Sequence, residues 1–92
     1  MTDPVVTQLR EQITNTDRSL VDAINKRLKL VQQLRRYKER HGVPFLDPAR
    51  EEWMLRYLTR ANRGPLSDEG LAEIYGQILD LTKRESARAV EV

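Results

Sequence analysis

The sequence predicts an all-α protein of three helices per subunit, one very long and two shorter. Three observations lead there. Asp3-Pro4, Asp47-Pro48 and Ser67 each carry the residue types that start a helix. No glycine or proline falls between Pro4 and Gly42, while apolar residues recur at Val6, Leu9, Ile13, Leu20, Ile24, Val31 and Leu34. These spacings of three, four or seven fit a helix, and no stretch alternates as a half-buried strand would.

The first helix is expected over residues 4–40. At 1.5 Å per residue it is a rod of about 55 Å, longer than a domain this small is wide. It must project from its own subunit and be covered by another chain. In "HGVPFLDPAREEW", Gly42 stops the first helix and Pro44 keeps the chain extended. Asp47-Pro48 restarts a helix over 48–62, with Glu51 near the capping-box position and Trp53, Met54, Tyr57, Leu58 and Ala61 along one stripe. "NRGPLSDEG" is the second break. A third helix follows over 68–86, carrying Leu71, Ile74, Tyr75, Ile78, Leu79 and Thr82, and is expected to fray after Ser86.

Composition narrows the function classes. The 92 residues form one domain, 1–92, with 39% hydrophobic and 33% charged residues. A chain this small usually needs a disulfide, a metal or a partner subunit. Without cysteine, and with His41 as its one histidine, it carries no thiolate chemistry, no histidine metal cluster and no evident cofactor site. The 16 cations are interleaved with 14 anions, and the aromatics Tyr37, Phe45, Trp53, Tyr57 and Tyr75 do not alternate with arginine. That argues against a nucleic-acid stacking platform. No apolar run approaches the roughly 20 residues of a membrane span, so a cytoplasmic, free-standing protein is expected.

Read as heptads, the a-type positions of the first helix are Val6, Ile13, Leu20, Arg27 and Leu34, and Arg27 breaks an otherwise apolar series. Eleven residues on, close to three turns, Lys38 returns to nearly the same face. Arg27 has ordinary explanations: a carboxylate partner elsewhere, a stem lying over the core, or a polar residue fixing helix register. A second possibility rests on Arg50 and Glu51, on the first turn of the second helix. If that helix folds back, the cations Arg27 and Lys38 could pinch a small dianion, arginine by a bidentate grip and lysine as a point charge. Such a pocket has no nucleophile, so it implies binding or catalysis by positioning and electrostatics.

"LREQITNTDRSLVDAINKRLKLVQQLRRYK" followed by "VPFLDPAREEWMLRYL" resembles the all-helical class of chorismate mutases, and "PFLDPAREE" with "NRGPLSDE" resembles in particular the mutase domain fused to bacterial DAHP synthases. The shared pattern is Leu9-Arg10, Ile13, Asp17, Arg27, Lys38, Asp47, Arg50 and Glu51, in order and at matching intervals. The resemblance implies an intertwined homodimer with two equivalent sites, in which Arg10 is lent to the partner's site. It implies that Arg10 and Arg27 grip the two carboxylates of chorismate. Lys38 would reach the ether oxygen, Glu51 would accept the ring hydroxyl, Asp47 would act through its backbone, and Arg50 would line the hydroxyl end. Thr82 fits the family's small hydroxyl residue on the third helix. One turn later the family has glutamine or glutamate as a second ether-oxygen partner, and the count here falls on Ser86, with Glu85 one residue before. The implied activity is rearrangement of chorismate to prephenate in phenylalanine and tyrosine biosynthesis, without a cofactor. Two alternatives share the scaffold: an isochorismate pyruvate-lyase, and a docking module for a DAHP synthase with "ARAVEV" as its tail.

Overall fold

The computed structural model describes residues 3–89, and side chains as far as Ala87. The last three residues of "ARAVEV" therefore lie outside the described residues. Three helices account for the described fold: α1, Pro4–Arg40; α2, Pro48–Ala61; and α3, Asp68–Ala89.

Each boundary has a local cause. The Asp3 carboxylate accepts from the Val5 N–H at 2.8 Å, and Pro4 occupies the first turn, where a missing N–H costs nothing. At the other end of α1, Gly42 takes φ +66°, and Val43 N–H reaches back to the Lys38 carbonyl at 2.8 Å. That is the bond that closes a helix through a left-handed glycine. It also ties the connecting loop to the very residue whose side chain matters later. Asp47 caps α2 by accepting from Arg50 N–H at 3.1 Å. Asn62 leaves the helix in an extended conformation, so α2 stops one residue short of the expected 62. The Ser67 hydroxyl accepts from Gly70 N–H at 3.0 Å at the start of α3. The far end of α3 runs to Ala89 rather than fraying at Ser86. Nothing in Ala87-Arg88-Ala89 breaks a helix, and alanine and arginine are among the best helix formers.

α3 packs against both α1 and α2. The result is elongated, 61 × 33 × 16 Å, with a radius of gyration of 17.1 Å. A compact domain of this length would have a radius of about 12 Å. The long dimension is α1, which runs well past the helices that pack on it. Its apolar stripe is correspondingly bare: Leu9, Ile13, Leu20, Val21 and Leu34 are all exposed. Among the described residues only Tyr75, 7% exposed, is a buried apolar side chain, and Ser86 is the fully buried polar one. No described helix is long and apolar enough to cross a membrane.

The fold of the subunit thus turns on the α1–α3 seam around Tyr75. Tyr75→Ala should lower the unfolding free energy by about 3 kcal/mol in urea titrations at fixed protein concentration. Tyr75→Phe should stay close to the parent. A loss below about 1 kcal/mol for the alanine variant would show that Tyr75 is not the anchor of this seam.

Candidate active site

Where α1, the α1–α2 loop, α2 and α3 meet, they enclose a cavity of about 300 Å³. That is at the lower end of the ~300–1,000 Å³ typical of small-molecule sites. Its walls are mixed. Val31, Leu34, Phe45, Leu46, Met54 and Leu79 supply apolar surface, and the polar groups are Arg27, Lys38, Asp47, Arg50, Glu51, Thr82 and Lys83.

The helical repeat of α1 delivers Arg27 and Lys38 to this cavity from one face. Arg27 reaches across to α3, where Nη1 donates to Thr82 Oγ1 at 2.7 Å. Thr82 in turn donates to the Ile78 carbonyl at 2.6 Å, so its lone pairs are turned toward the guanidinium. The Arg27 Cζ lies 5.9 Å from the Tyr75 ring centroid, within range of a cation–π attraction. Arg27 is therefore held by neutral partners, and its positive charge is left uncancelled by them.

Lys38 is held in a similar way. Its Nζ donates to the Phe45 carbonyl at 3.4 Å, a long contact that leaves most of the ammonium's donor capacity open. The loop that offers this carbonyl is the one anchored by Val43 on the Lys38 carbonyl. Backbone and side chain of Lys38 thus hold the same short loop.

The first turn of α2 supplies Asp47, Arg50 and Glu51 to the lining. The Asp47 carboxylate is occupied as the helix cap. Arg50 places its Cζ 4.8 Å from the Trp53 ring centroid, one turn along the same helix. Glu51 pairs with Lys83 of α3, Nζ to Oε1 at 3.0 Å. The charges of this pair compensate each other, whereas Arg27 and Lys38 are met by neutral oxygens.

The remaining residues singled out from sequence lie elsewhere in this chain. Arg10 sits on an exposed stretch of α1 with Thr7, Glu11, Thr14 and Asn15, 17 residues or about 25 Å along the rod from Arg27. Ser86 is buried, accepting from Arg35 Nη1 at 3.2 Å and donating to the Lys83 carbonyl at 3.3 Å, and does not line the cavity. Glu85 is half-buried and also off the lining.

Sequence patterning does not single out two further residues. Lys83 is hidden beside Thr82, because the family pattern directs attention a full turn further on. Arg35 places its Cζ 4.5 Å from the Phe45 ring centroid and also bonds Ser86, bracing the loop and the end of α3 against α1. The aromatic Phe45 in an otherwise short, proline-containing loop was the available signal for a stacking partner. Among the described residues no group of three potential metal ligands is gathered.

Comparison with known proteins identifies the family. The sequence model of the family described as chorismate mutase type II matches residues 9–87. The bifunctional chorismate mutase/prephenate dehydratase of Pseudomonas aeruginosa is 32% identical over 76 residues, which is 77% of this chain and 21% of that protein. This chain thus spans about a fifth of the length of such bifunctional relatives. A 4-amino-4-deoxychorismate mutase of Streptomyces venezuelae is 40% identical over 43 residues, 47% of this chain and 42% of that protein. Among solved structures, the Form II chorismate mutase of Thermus thermophilus superposes with a TM-score of 0.85 at 32% identity, covering 90% of this chain and 94% of that one. With the family model matched from residue 9 of α1 to residue 87 of α3, this chain belongs to the type II chorismate mutases.

Proposed function

We propose that this chain rearranges chorismate to prephenate, and that it does so by holding the substrate rather than by reacting with it. The observation that carries this reading is the pairing of Arg27 and Lys38 on one small cavity, each held by a neutral oxygen. The reaction is an intramolecular pericyclic shift of the enolpyruvyl group, so it needs no nucleophile and no proton transfer. What it needs is the compact diaxial conformer and relief of the charge that grows on the ether oxygen as the carbon–oxygen bond breaks.

Each residue has a part in that scheme. Arg27 grips one carboxylate of the substrate, with Thr82 fixing the guanidinium. Lys38 reaches the ether oxygen, where a cation stabilises the transition state more than the ground state. Glu51 accepts the ring hydroxyl through the oxygen not engaged by Lys83. The Asp47 backbone and Arg50 close the hydroxyl end. Ser86 faces Arg35 rather than the cavity, which leaves Lys38 as the principal donor to the ether oxygen.

The second carboxylate requires Arg10, and geometry forbids one chain from supplying it beside Arg27. A homodimer in which the bare stripe of α1 pairs with its counterpart brings the partner's copy of that residue to the site. The extent of exposed apolar surface along α1 supports the same assembly.

Two experiments test this. Loss of chorismate absorbance and appearance of prephenate should be followed for the unaltered protein, Arg27→Ala and Lys38→Ala. Lys38→Ala should reduce kcat by about 10²–10³-fold while shifting KM far less. A kcat within a few-fold of the parent would remove Lys38 from the ether oxygen. Turnover that appears only after a DAHP synthase is added would favour a partner-dependent enzyme, and pyruvate release from isochorismate alone would favour the lyase.

The shared site can be tested by mixing. Arg10→Ala and Arg27→Ala homodimers should each be inactive. After subunit exchange, half of the dimers are mixed, and each mixed dimer has one site with both arginines intact. Activity should therefore return to about a quarter of the parent value. No recovery after demonstrated exchange would mean that Arg10 serves the site of its own chain or none.

A further inference from the structure

Lys83 has no task in the rearrangement as described, yet its pair with Glu51 is built into the wall of the cavity. Thr82 points from α3 toward Arg27. The next residue is turned by about 100° around the helix, which carries Lys83 toward α2. Its ammonium meets Glu51 on the first turn of α2, at 3.0 Å, with the two side chains 39% and 31% exposed. The pair is neither a buried core bridge nor a bridge between freely solvated side chains. Both residues line the cavity, and Glu51 is the one proposed to receive the ring hydroxyl.

Its consequence is electrostatic. Of the two carboxylates on the cavity wall, Asp47 is spent on the cap of α2, so Glu51 is the one available to a ligand. A bare carboxylate in that place would accept a hydrogen bond from a hydroxyl, and it would attract an ammonium still more strongly. With Lys83 on Oε1, the attraction for a cation is largely cancelled, and an ammonium beside Glu51 would also lie close to the lysine charge. A neutral hydroxyl suffers neither effect and keeps the second carboxylate oxygen as its acceptor.

We propose that Lys83 is a specificity-determining residue, which makes the Glu51 end of the cavity select a neutral hydroxyl on the substrate ring over an amino group carried there as a cation. This is discrimination by a repulsive charge placed against the wrong ligand, added to an attractive contact for the right one. It rests on the proposed function of the cavity and on Glu51 as the contact for the ring hydroxyl.

The test compares two substrates on the full chain: chorismate, and the analogue with an amino group in place of the ring hydroxyl. The readout is the ratio of kcat/KM for the amino compound to that for chorismate. Because both are measured on one preparation, any loss of folded protein cancels. Lys83→Met and Lys83→Gln should each raise this ratio by roughly tenfold, whereas Lys83→Arg should keep it near the parent value. An unchanged ratio in both neutral variants overturns the proposal while leaving the mutase reading intact. So does an equal rise in Lys83→Arg, which would assign the effect to packing rather than charge. Parent protein that rearranges neither compound overturns the reading of the cavity, and this inference falls with it.

Discussion

A guanidinium held by a neutral hydroxyl is the interaction around which this molecule is arranged. Arg27 stands where the apolar seam of α1 would otherwise continue, and Thr82 of α3 accepts from it at 2.7 Å. A carboxylate in place of Thr82 would have held the cation more firmly and would also have cancelled it. The threonine fixes direction and leaves charge. The same choice recurs at Lys38, where a backbone carbonyl and not an acid meets the ammonium. The two cations are thus oriented beforehand by neutral groups, and under the proposed function no ion pair at either of them has to be broken to bind an anion.

The charges contributed by α2 and α3 follow another rule. There Glu51 meets Lys83, and Asp47 is tied to the backbone of its own helix. The wall of the cavity therefore combines cations of α1 met by neutral oxygens with charges paired between α2 and α3. A ligand that turns anions toward the first set and a neutral polar group toward the second matches both. Under the proposed function this bears on rate as well as on recognition, because orientation is the principal service an enzyme can render to a unimolecular rearrangement.

How much of this could be read from sequence depends on how many helices a feature involves. The bounds of α1 follow from local chemistry alone, because Asp3-Pro4 and Gly42 act within a few residues of themselves. The alignment of Arg27 with Lys38 also needs only the repeat of one helix. Lys83 against Glu51 is different, since it depends on the angle at which α3 passes α2, and no periodicity within either helix contains that angle. Ser86 illustrates the same limit. Counting one turn from Thr82 lands on it, but the count could not reveal that Arg35 reaches over Phe45 to take up its hydroxyl. The family resemblance supplied roles for Arg10, Glu85 and Ser86 that a single chain does not bring together.

The shape of α1 connects these local arrangements to assembly. A helix of 37 residues extends beyond what two shorter helices can cover, and the part left bare is the part that carries Arg10. Shortening α1 would make a more compact subunit and would remove that arginine. Arg27 presents the matching compromise on the inner face, since leucine at that position would complete the seam and abolish the charge. Arg27 is half-buried, so part of its hydration is given up for contacts to neutral groups, whereas an apolar residue packed there would carry no such cost. Both the overlong rod and the interrupted seam therefore work against the stability of an isolated subunit, and both place an arginine where a dianion can be held. If the proposed homodimer is the working form, these two features belong together, as the stability given up so that one small ligand meets cations from two directions.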